Sequence, residues 1–437
     1  MKRTTVDKRL MSIPGCLAAL ALVAAPAQSQ TPVKTTTPSQ FLQPGFTFQP
    51  EWWQRMEDRN TSNFNIAKAN DPREAQSRLR LNMRYRDPKG WSLFLQPQYS
   101  YRNSTGSPTA PGLSNDFDFH QAFVEMRSGK ASWRIGRQEF DYGDNRLINP
   151  GGDNIGQSFD ALKFTLSGKR SATDFFYGKL GQLAYKKQNP TLAGFYSIAS
   201  PLRNSKSTVD TYLLFKGDKI SGQSQSSYTL GMRPHLFFGK GFDSTVESAF
   251  QFGQHGPRSI SAWAYAANLG YTFHGSSRLR LAVERSAASG GNPDGKGSYG
   301  TFDQLFDSAN DKISRMNNAG WSNSTDLRFS VQANPGKRWQ FNFDTHLLGL
   351  QNGKDYWYNA SGATVKGSNG KALRDATGKS GTSLGTEFDA ACNYSVNRFL
   401  GVKLSYGKFL PGSYVRKTNL GHADSTDWFY IQPTYRF

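Results

Sequence analysis

Long apolar runs are almost absent from this sequence of 437 residues. Only 37% of its residues are hydrophobic, its mean hydropathy is −0.62, and its one extended apolar segment is CLAALALVAA at 16–25. A membrane-spanning helix needs about 20 apolar residues, so neither this segment nor any later one predicts such a helix. Cysteine is equally scarce. With only Cys16 and Cys392 present, a scaffold held by several disulfides is excluded.

The first 27 residues have the parts of a secretory signal peptide. A basic segment at 2–9 precedes the apolar segment, and APA at 25–27 is a small-residue cleavage site. A lipoprotein leader is disfavoured because almost no apolar sequence precedes Cys16. Removal of residues 1–27 leaves a mature chain with no cysteine pair. Residues 28–45, rich in Thr, Pro and Gln, are predicted to form a disordered periplasmic linker.

Acidic residues are outnumbered by basic ones. The chain has 53 Lys and Arg against 33 Asp and Glu, which gives a formal net charge of +20 and a pI of about 9.8. Such a charge by itself suggests nucleic-acid binding. Here, however, the basic residues are spread over strand-like segments instead of forming one patch, and 14% of residues are aromatic. We therefore predict no nucleic-acid partner.

Strict alternation of apolar and polar residues is the dominant pattern. In SRLRLNMRYR (77–86) four arginines alternate with Leu, Leu, Met and Tyr, and TDLRFSVQA (325–333) alternates in the same way. Successive side chains of a strand point to opposite faces, so each such strand has one apolar and one polar face. Segments of about ten residues of this kind, separated by turn residues, are typical of an outer-membrane β-barrel. The predicted fold class is all-β, with a single transmembrane antiparallel barrel.

The connections between these segments fall into a short and a long class. Short ones such as RDPKG (86–90) suit periplasmic turns, and long ones such as 140–156 and 287–323 suit extracellular loops. Both chain ends lie in the periplasm when the strand count is even. The alternation of short and long connections then requires a first strand at 46–59 and another within 183–207. The predicted total is 18 strands, with 16 as the alternative.

The chain ends in DWFYIQPTYRF, an alternating strand that finishes on Phe437. A terminal strand ending in Phe resembles the signal by which outer-membrane barrels are recognised for assembly. We therefore predict the barrel assembly machinery as a partner through Phe437, and outer-membrane lipids around the barrel. The predicted location is the bacterial outer membrane.

The inward face of the barrel is predicted to be basic. If the four arginines of 77–86 faced lipid, each would cost about 2–4 kcal/mol near the bilayer midplane. Inward-facing Arg and Lys favour anions in a pore. The predicted pore-lining and substrate-binding residues are Arg78, Arg80, Arg84, Arg86, Arg127, Arg134, Arg137, Arg146, Lys163, Arg278, Arg280, Arg328 and Arg338. Arg137 has the parity of Ile135, so it reaches the lumen only through a bulge at Gly136 and otherwise lies at a barrel rim.

Residues 133–164, WRIGRQEFDYGDNRLINPGGDNIGQSFDALKF, resemble the alginate export family of outer-membrane barrels. The resemblance rests on GRQE at 136–139, on YGD at 142–144, and on SFD at 158–160. It implies an 18-stranded barrel over 46–437 with an electropositive lumen that passes acidic polysaccharide. The sequence departs from the family at 153–155, where Asp-Asn-Ile stands in place of an expected aromatic.

These observations predict a single barrel domain, 46–437, that passively conducts alginate-like anionic oligosaccharide or polysaccharide. The alternative is a diffusion porin for small anionic or sugar solutes, and a surface-acting barrel enzyme is a third. GTSLG at 381–385 has nucleophile-elbow spacing, but that motif requires a strand-to-helix turn on an α/β sheet, so we predict no enzyme activity. No cofactor and no metal are expected, and the expected oligomeric state is a monomer.

Overall fold

A computed structural model describes most of the chain after the linker. The described residues are 45–68, 71–105, 113–151, 154–181, 189–201, 206–220, 223–292, 294–306 and 312–437. The predicted signal peptide (1–27) and all but the last residue of the predicted linker (28–45) lie outside them. Among the described residues no helix is both long enough and apolar enough to cross a membrane.

The described residues form one sheet of 18 strands in which each strand pairs antiparallel with its neighbours in sequence. Pairing of the first strand with the last closes the sheet into a barrel, which removes both sheet edges. The strands are β1 (Gly45–Arg59), β2 (Arg73–Arg86), β3 (Trp91–Thr105), β4 (Leu113–Ser128), β5 (Ala131–Gln138), β6 (Phe159–Ser167), β7 (Ser171–Leu180), β8 (Thr191–Ala199), β9 (Thr208–Ile220), β10 (Gln223–Phe238), β11 (Phe242–His255), β12 (Arg258–Thr272), β13 (Arg280–Ala288), β14 (Ser324–Ala333), β15 (Trp339–Gly349), β16 (Ser383–Ser395), β17 (Leu400–Pro411) and β18 (Thr426–Arg436). The predicted count of 18 is confirmed, including β1 as first strand and β8 within 183–207.

Side-chain alternation on β2 follows the sequence pattern. Leu79 and Tyr85 are 39% and 38% exposed on the outer surface, whereas Arg78 and Arg80 are buried on the inner one. The outer surface of a membrane barrel must be apolar and the lumen may be polar, so the period-two pattern places each residue type where its solvation cost is lowest.

The closing seam between β1 and β18 has one local interruption. The register passes from Trp53↔Thr434 to Met56↔Ile431, and Pro433 has no partner on β1. Proline has no backbone N–H to give to the ladder, which accounts for the gap. The ring of Tyr435 stacks on Trp52 at 5.6 Å across the same seam.

The two rims of the barrel differ in their connections. Turns that follow even-numbered strands are short, and we call that end the short-turn rim. At the opposite, long-loop rim, the three longest connections are 139–158, 289–323 and 350–382. The hairpin at 256–257 is tight even there, because β11 and β12 extend further than their apolar segments indicate. A single helical turn, α1 (Ser413–Thr418), lies between β17 and β18.

The three long loops fold back into the mouth of the barrel. Trp321 and Trp357, from two different loops, are almost fully buried. The ring of Trp357 lies 6.0 Å from that of Phe409 on β17, and Ile148 of the first loop forms a parallel bridge with Phe306 of the second. The loops therefore share one apolar core that packs against the inner barrel wall.

Candidate functional site: the lumen of the barrel

Inward-facing arginines concentrate on one side of the barrel, on β1, β2, β4 and β5. Each alternates with an outward apolar residue, which is why the strand period directs it inward. We call this side the basic wall and define it as Arg55, Arg59, Arg78, Arg80, Arg84, Arg86, Arg127 and Arg134.

The part of the basic wall nearer the long-loop rim is held by hydrogen bonds. Arg78 Nη2 lies 3.1 Å from Glu51 Oε1, and Arg80 Nε donates to Gln98 Oε1 at 2.6 Å. Arg80 Nη1 also lies 3.7 Å from Glu139, at the start of the first long loop. These two side chains are less than 10% exposed, so they act mainly as part of the wall.

Aromatic rings lie behind the guanidinium groups of the basic wall. Arg78 stands over Trp53 at 4.9 Å, Arg84 over Phe94 at 4.6 Å and Arg134 over Phe123 at 4.3 Å, each measured to the ring centroid. The nearest such pair is Arg55 over Tyr430 of β18, at 4.0 Å. Stacking on a ring face orients the guanidinium plane and stabilises it without neutralising its charge. The arginines therefore keep their positive charge at fixed positions along the wall.

Two arginines nearer the short-turn rim have no acidic partner. Among the described residues, neither Arg84 nor Arg86 forms an ion pair, and both are half-buried. Their neighbours Arg127 and Arg134 both pair with Glu125, whose carboxylate lies 3.2 and 2.8 Å from their respective Nε atoms. This part of the lumen consequently carries more positive than negative charge.

The opposite side of the lumen carries carboxylates, and we call it the acidic wall. It consists of Asp210, Asp243, Glu247, Glu284, Asp326, Asp344, Glu387 and Asp389. Loop residues neutralise part of it, since Arg146 donates to Glu284 at 2.7 Å and Arg315 lies 3.6 Å from Asp344. His346, on the wall itself, lies 2.8 Å from Asp326.

Four predicted pore-lining residues outside the basic wall are inside the barrel but are ion-paired. They are Arg146, Lys163, Arg280 and Arg328, with Glu284, Asp174, Asp243 and Glu284 as their respective partners. Arg146 comes from the first long loop and not from a strand. Whether any of these residues binds substrate stays a prediction.

The prediction that Arg137 lines the pore is wrong. The β4–β5 register runs without a bulge at Gly136, so Arg137 keeps the outward parity of Ile135. It forms ion pairs with Asp118 at 2.6 Å and Asp160 at 2.7 Å, one residue before β5 ends. The alternative that places it at a rim describes its position.

The inward placement of Arg278 and Arg338 is also wrong. Arg278 lies in the turn 273–279 with φ of +44°, and Arg338 precedes β15; both are exposed at the short-turn rim. In both cases the alternating sequence pattern already begins in the turn before the strand. Alternation alone does not show where a turn ends and a strand begins.

The first long loop is fastened to the wall by polar contacts. Tyr142 Oη donates to Asp174 at 2.7 Å, and Asp144 lies 3.5 Å from Arg233. Burial by itself raises the pKa of Asp144, but Lys312, Arg233 and Arg146 outweigh it and lower that pKa to about 2. Burial likewise raises the pKa of the Tyr142 hydroxyl well above its usual value, and the nearby Asp174 raises it further. Asp144 is therefore a charged anchor and Tyr142 a neutral donor.

Sequence reasoning missed several lumen residues. Arg55 and Arg59 of β1 alternate with the outward Met56. The alternation of the sequence could therefore have identified them as inward-facing. Arg315 has no such signal, because it lies on a loop whose inward fold is not encoded by strand periodicity. Within the described residues no group of His, Cys, Asp or Glu side chains has the arrangement of a metal site.

The family comparison confirms the resemblance seen in the sequence. The alginate export family model matches residues 46–428. The chain belongs to the alginate export family. The closed 18-strand sheet is the architecture that the resemblance to this family implies. The sequence has no significant match among curated proteins.

Solved outer-membrane proteins share the fold at low sequence identity. The chain is similar to Pseudomonas aeruginosa OccK5 (OpdH), with a TM-score of 0.59 and 10% identity over 90% of this chain and 98% of that one. For Pseudomonas aeruginosa OpdQ the TM-score is 0.60 at 11% identity, with coverage of 90% and 98%. For Acinetobacter baumannii OccAB2 it is 0.58 at 11% identity, with coverage of 89% and 98%. Together with the family, these relatives indicate an outer-membrane channel in the bacterial outer membrane.

Proposed function

We propose that this channel passively conducts anionic oligosaccharide or polysaccharide. The observation that carries the proposal is the excess of positive charge on the basic wall, where Arg84 and Arg86 have no carboxylate partner among the described residues. Much of the acidic wall is already paired with arginines and a histidine. An anion entering the lumen would thus meet fixed positive charge on one side and largely neutralised carboxylates on the other.

A uronate chain suits such a wall because each sugar carries one carboxylate. Successive inward residues on one strand are about 7 Å apart, so a bound chain meets another guanidinium after a short displacement. Each contact in a wet pore contributes about 0.2–1 kcal/mol, as exposed ion pairs do. Several weak contacts attract the chain and still let it leave, which conduction requires.

Planar-bilayer recording tests this proposal. Wild-type channels should prefer anions in a salt gradient, and an acidic oligouronate should block their current more strongly than a neutral oligosaccharide of equal length. The double variant Arg84→Gln and Arg86→Gln should lose most of both effects, because it removes the two unpaired charges. Block should also weaken at high salt, which screens exposed charge.

Arg137→Gln is the matched control, since Arg137 has the same chemistry but lies on the outer surface. It should leave anion preference and uronate block unchanged. The proposal fails if the double variant retains full selectivity and block, or if Arg137→Gln alters them equally.

A diffusion porin for small anions or sugars is the second candidate. The inward fold of the three long loops favours it, because buried Trp321 and Trp357 occupy space inside the mouth. Vesicles loaded with either a single uronate or a uronate oligomer distinguish the two candidates. Release of both supports the oligosaccharide channel, whereas release of the monomer alone supports the porin.

A further inference from the structure

The turns at the short-turn rim carry almost only positive charge. Each of the eight turns contains at least one exposed Lys or Arg, and Asp87 is the one acidic residue in their sequences. We call the exposed Lys and Arg that the structure describes in these turns the basic rim. They are Lys89, Lys130, Lys169, Arg170, Lys206, Lys240, Arg278, Lys337, Arg338 and Arg398. The three longest connections at the opposite rim contain ten acidic and nine basic residues, so the excess of one sign belongs to one end of the barrel.

The charges of the basic rim are not neutralised within the barrel. None of its side chains forms an ion pair with another residue that the structure describes. Asp87 accepts a hydrogen bond from the backbone N–H of Lys89, at 2.8 Å. Arg398 stands over the exposed ring of Phe399 at 4.4 Å, a contact that leaves its charge in place. The basic rim is therefore open to anions from outside the chain.

Exposed aromatic side chains adjoin the basic rim on the outer surface. Trp91 is the first residue of β3 and Trp339 the first of β15, each directly after a turn, and Trp133 is the third residue of β5. The ring of Tyr85 packs on that of Trp91 at 5.3 Å across the first of these turns. Trp and Tyr are enriched where the apolar core of a membrane meets its headgroups. The turns lie beyond these rings, so the basic rim lies at the level of the headgroups.

The distribution of charge around the rim favours lipid over other anions. Every turn from β2–β3 to β16–β17 contributes, so positive charge nearly surrounds the barrel. A bilayer leaflet meets a barrel along its whole circumference, whereas an acidic protein docked at one side, or an acidic chain in the pore, meets only part of it. Short turns face the periplasm in outer-membrane barrels, so the leaflet concerned is the periplasmic one.

We infer that the basic rim binds anionic phospholipids of the periplasmic leaflet. Lys and Arg donate charge-assisted hydrogen bonds to phosphate oxygens, and their methylene groups lie along apolar surface while the charged ends reach the headgroups. A zwitterionic headgroup presents the same phosphate beside a cation, which the basic rim repels. The favoured lipids therefore have a net negative headgroup, as phosphatidylglycerol has. This inference does not depend on what the pore conducts.

Lipid selectivity in reconstituted vesicles tests the inference. The protein is placed in phosphatidylcholine vesicles with a trace of spin-labelled phosphatidylglycerol or spin-labelled phosphatidylcholine. Electron spin resonance should give phosphatidylglycerol a relative association constant of about five, the factor that one basic residue near a membrane surface contributes. The constant should fall towards one at high salt, which screens exposed charge. Equal restriction of both lipids at low salt, or a preference that salt does not change, would overturn the inference.

A quadruple variant shows whether the preference arises at this rim. This rim variant carries Lys130→Gln, Lys169→Gln, Lys337→Gln and Arg398→Gln, one substitution in each of four turns. Its relative association constant should be clearly lower than that of the wild type, because four charges of the basic rim are removed. The matched control removes four exposed charges at the long-loop rim, through Lys354→Gln, Lys371→Gln, Arg416→Gln and Lys417→Gln, and should keep the wild-type value. A rim variant with the wild-type value, or a control that loses as much, contradicts the inference.

Block by oligouronate separates lipid binding from collection of an acidic polymer at the pore entrance. With the oligouronate added on the short-turn side of a planar bilayer, the rim variant should show block close to that of the wild type, because the removed charges lie in turns and not in the lumen. Reduced block with an unchanged lipid preference would assign the basic rim to the polymer and overturn the inference. If the rim variant does not assemble, the salt dependence measured on the unmodified protein still decides the outcome.

Discussion

Glu125 lies beneath two arginines of the basic wall. Its side chain is 3% exposed and accepts hydrogen bonds from Arg127 and Arg134. Within the group of Arg127, Arg134 and Glu125, two guanidinium charges face one carboxylate charge. At the residue scale, the proposed anion preference depends on such unequal pairings more than on the number of arginines.

Replacing Glu125 by Gln should raise anion preference, because it removes a negative charge from the lumen while keeping the side-chain shape. It should also lower the free energy of unfolding by about 1–3 kcal/mol, since hydrogen bonds to a charged group are lost. Bilayer reversal potentials and urea unfolding in detergent measure the two effects. Asp160→Asn, which removes one of the two aspartate partners of the outward Arg137, is the control and should not change selectivity. Unchanged selectivity in Glu125→Gln would show that ions do not sense this cluster.

At the scale of elements, the first long loop (139–158) is held inside the barrel by ionic and hydrogen-bonded contacts. Arg146 reaches Glu284, a residue 138 positions away, and Asp144 faces Arg233. The loop also takes part in the apolar core through Leu147 and Ile148. Charged anchors and apolar packing together explain why a long polar loop does not extend into solvent.

The anchoring by Asp144 should depend on pH in a defined direction. Its pKa is lowered from 3.8 to about 2, so its stabilising contribution is complete above about pH 4 and is lost as pH falls through about 2. Single-channel current fluctuations should therefore stay constant from pH 7 to 4 and increase below that. Asp144→Asn should fluctuate more at pH 7 and lack the acid step. If the variant keeps the acid step, another carboxylate governs the loop.

At the scale of the whole molecule, closure of the barrel depends on its two terminal strands. Trp52 stacks on Tyr435, and Arg436 lies 2.9 Å from Glu51 across the seam. Phe437 is 65% exposed, while its backbone N–H donates to the carbonyl of Pro50 at 3.1 Å. The Phe437 ring thus contributes little to packing within the barrel, although it ends the chain.

Phe437→Ala should therefore reduce assembly in cells more than stability in vitro. We expect less folded protein in outer membranes, measured as the heat-modifiable band on electrophoresis, and nearly wild-type unfolding of protein refolded in detergent. Phe429→Ala is a suitable control on the same face of β18, since it leaves the chain end intact. Equal losses in both variants would indicate that packing, and not recognition of the terminus, limits assembly.

The sequence by itself determined the barrel class, the strand count and the face on which most strand residues lie. These follow from a period of two and from the lengths of connections, which are local properties of the chain. Arg78, Arg80, Arg84 and Arg86 were placed correctly for that reason. Arg278 and Arg338 were not, because strand ends depend on pairing with a neighbour and alternation does not reveal them.

Only the tertiary structure decided which charges remain unpaired and where the loops lie. Arg146 and Glu284 meet because a loop folds inward across the barrel, and Arg137 faces outward because the β4–β5 register has no bulge. Ion pairing and loop placement depend on contacts between distant parts of the chain, and a one-dimensional pattern of polarity carries no information about them.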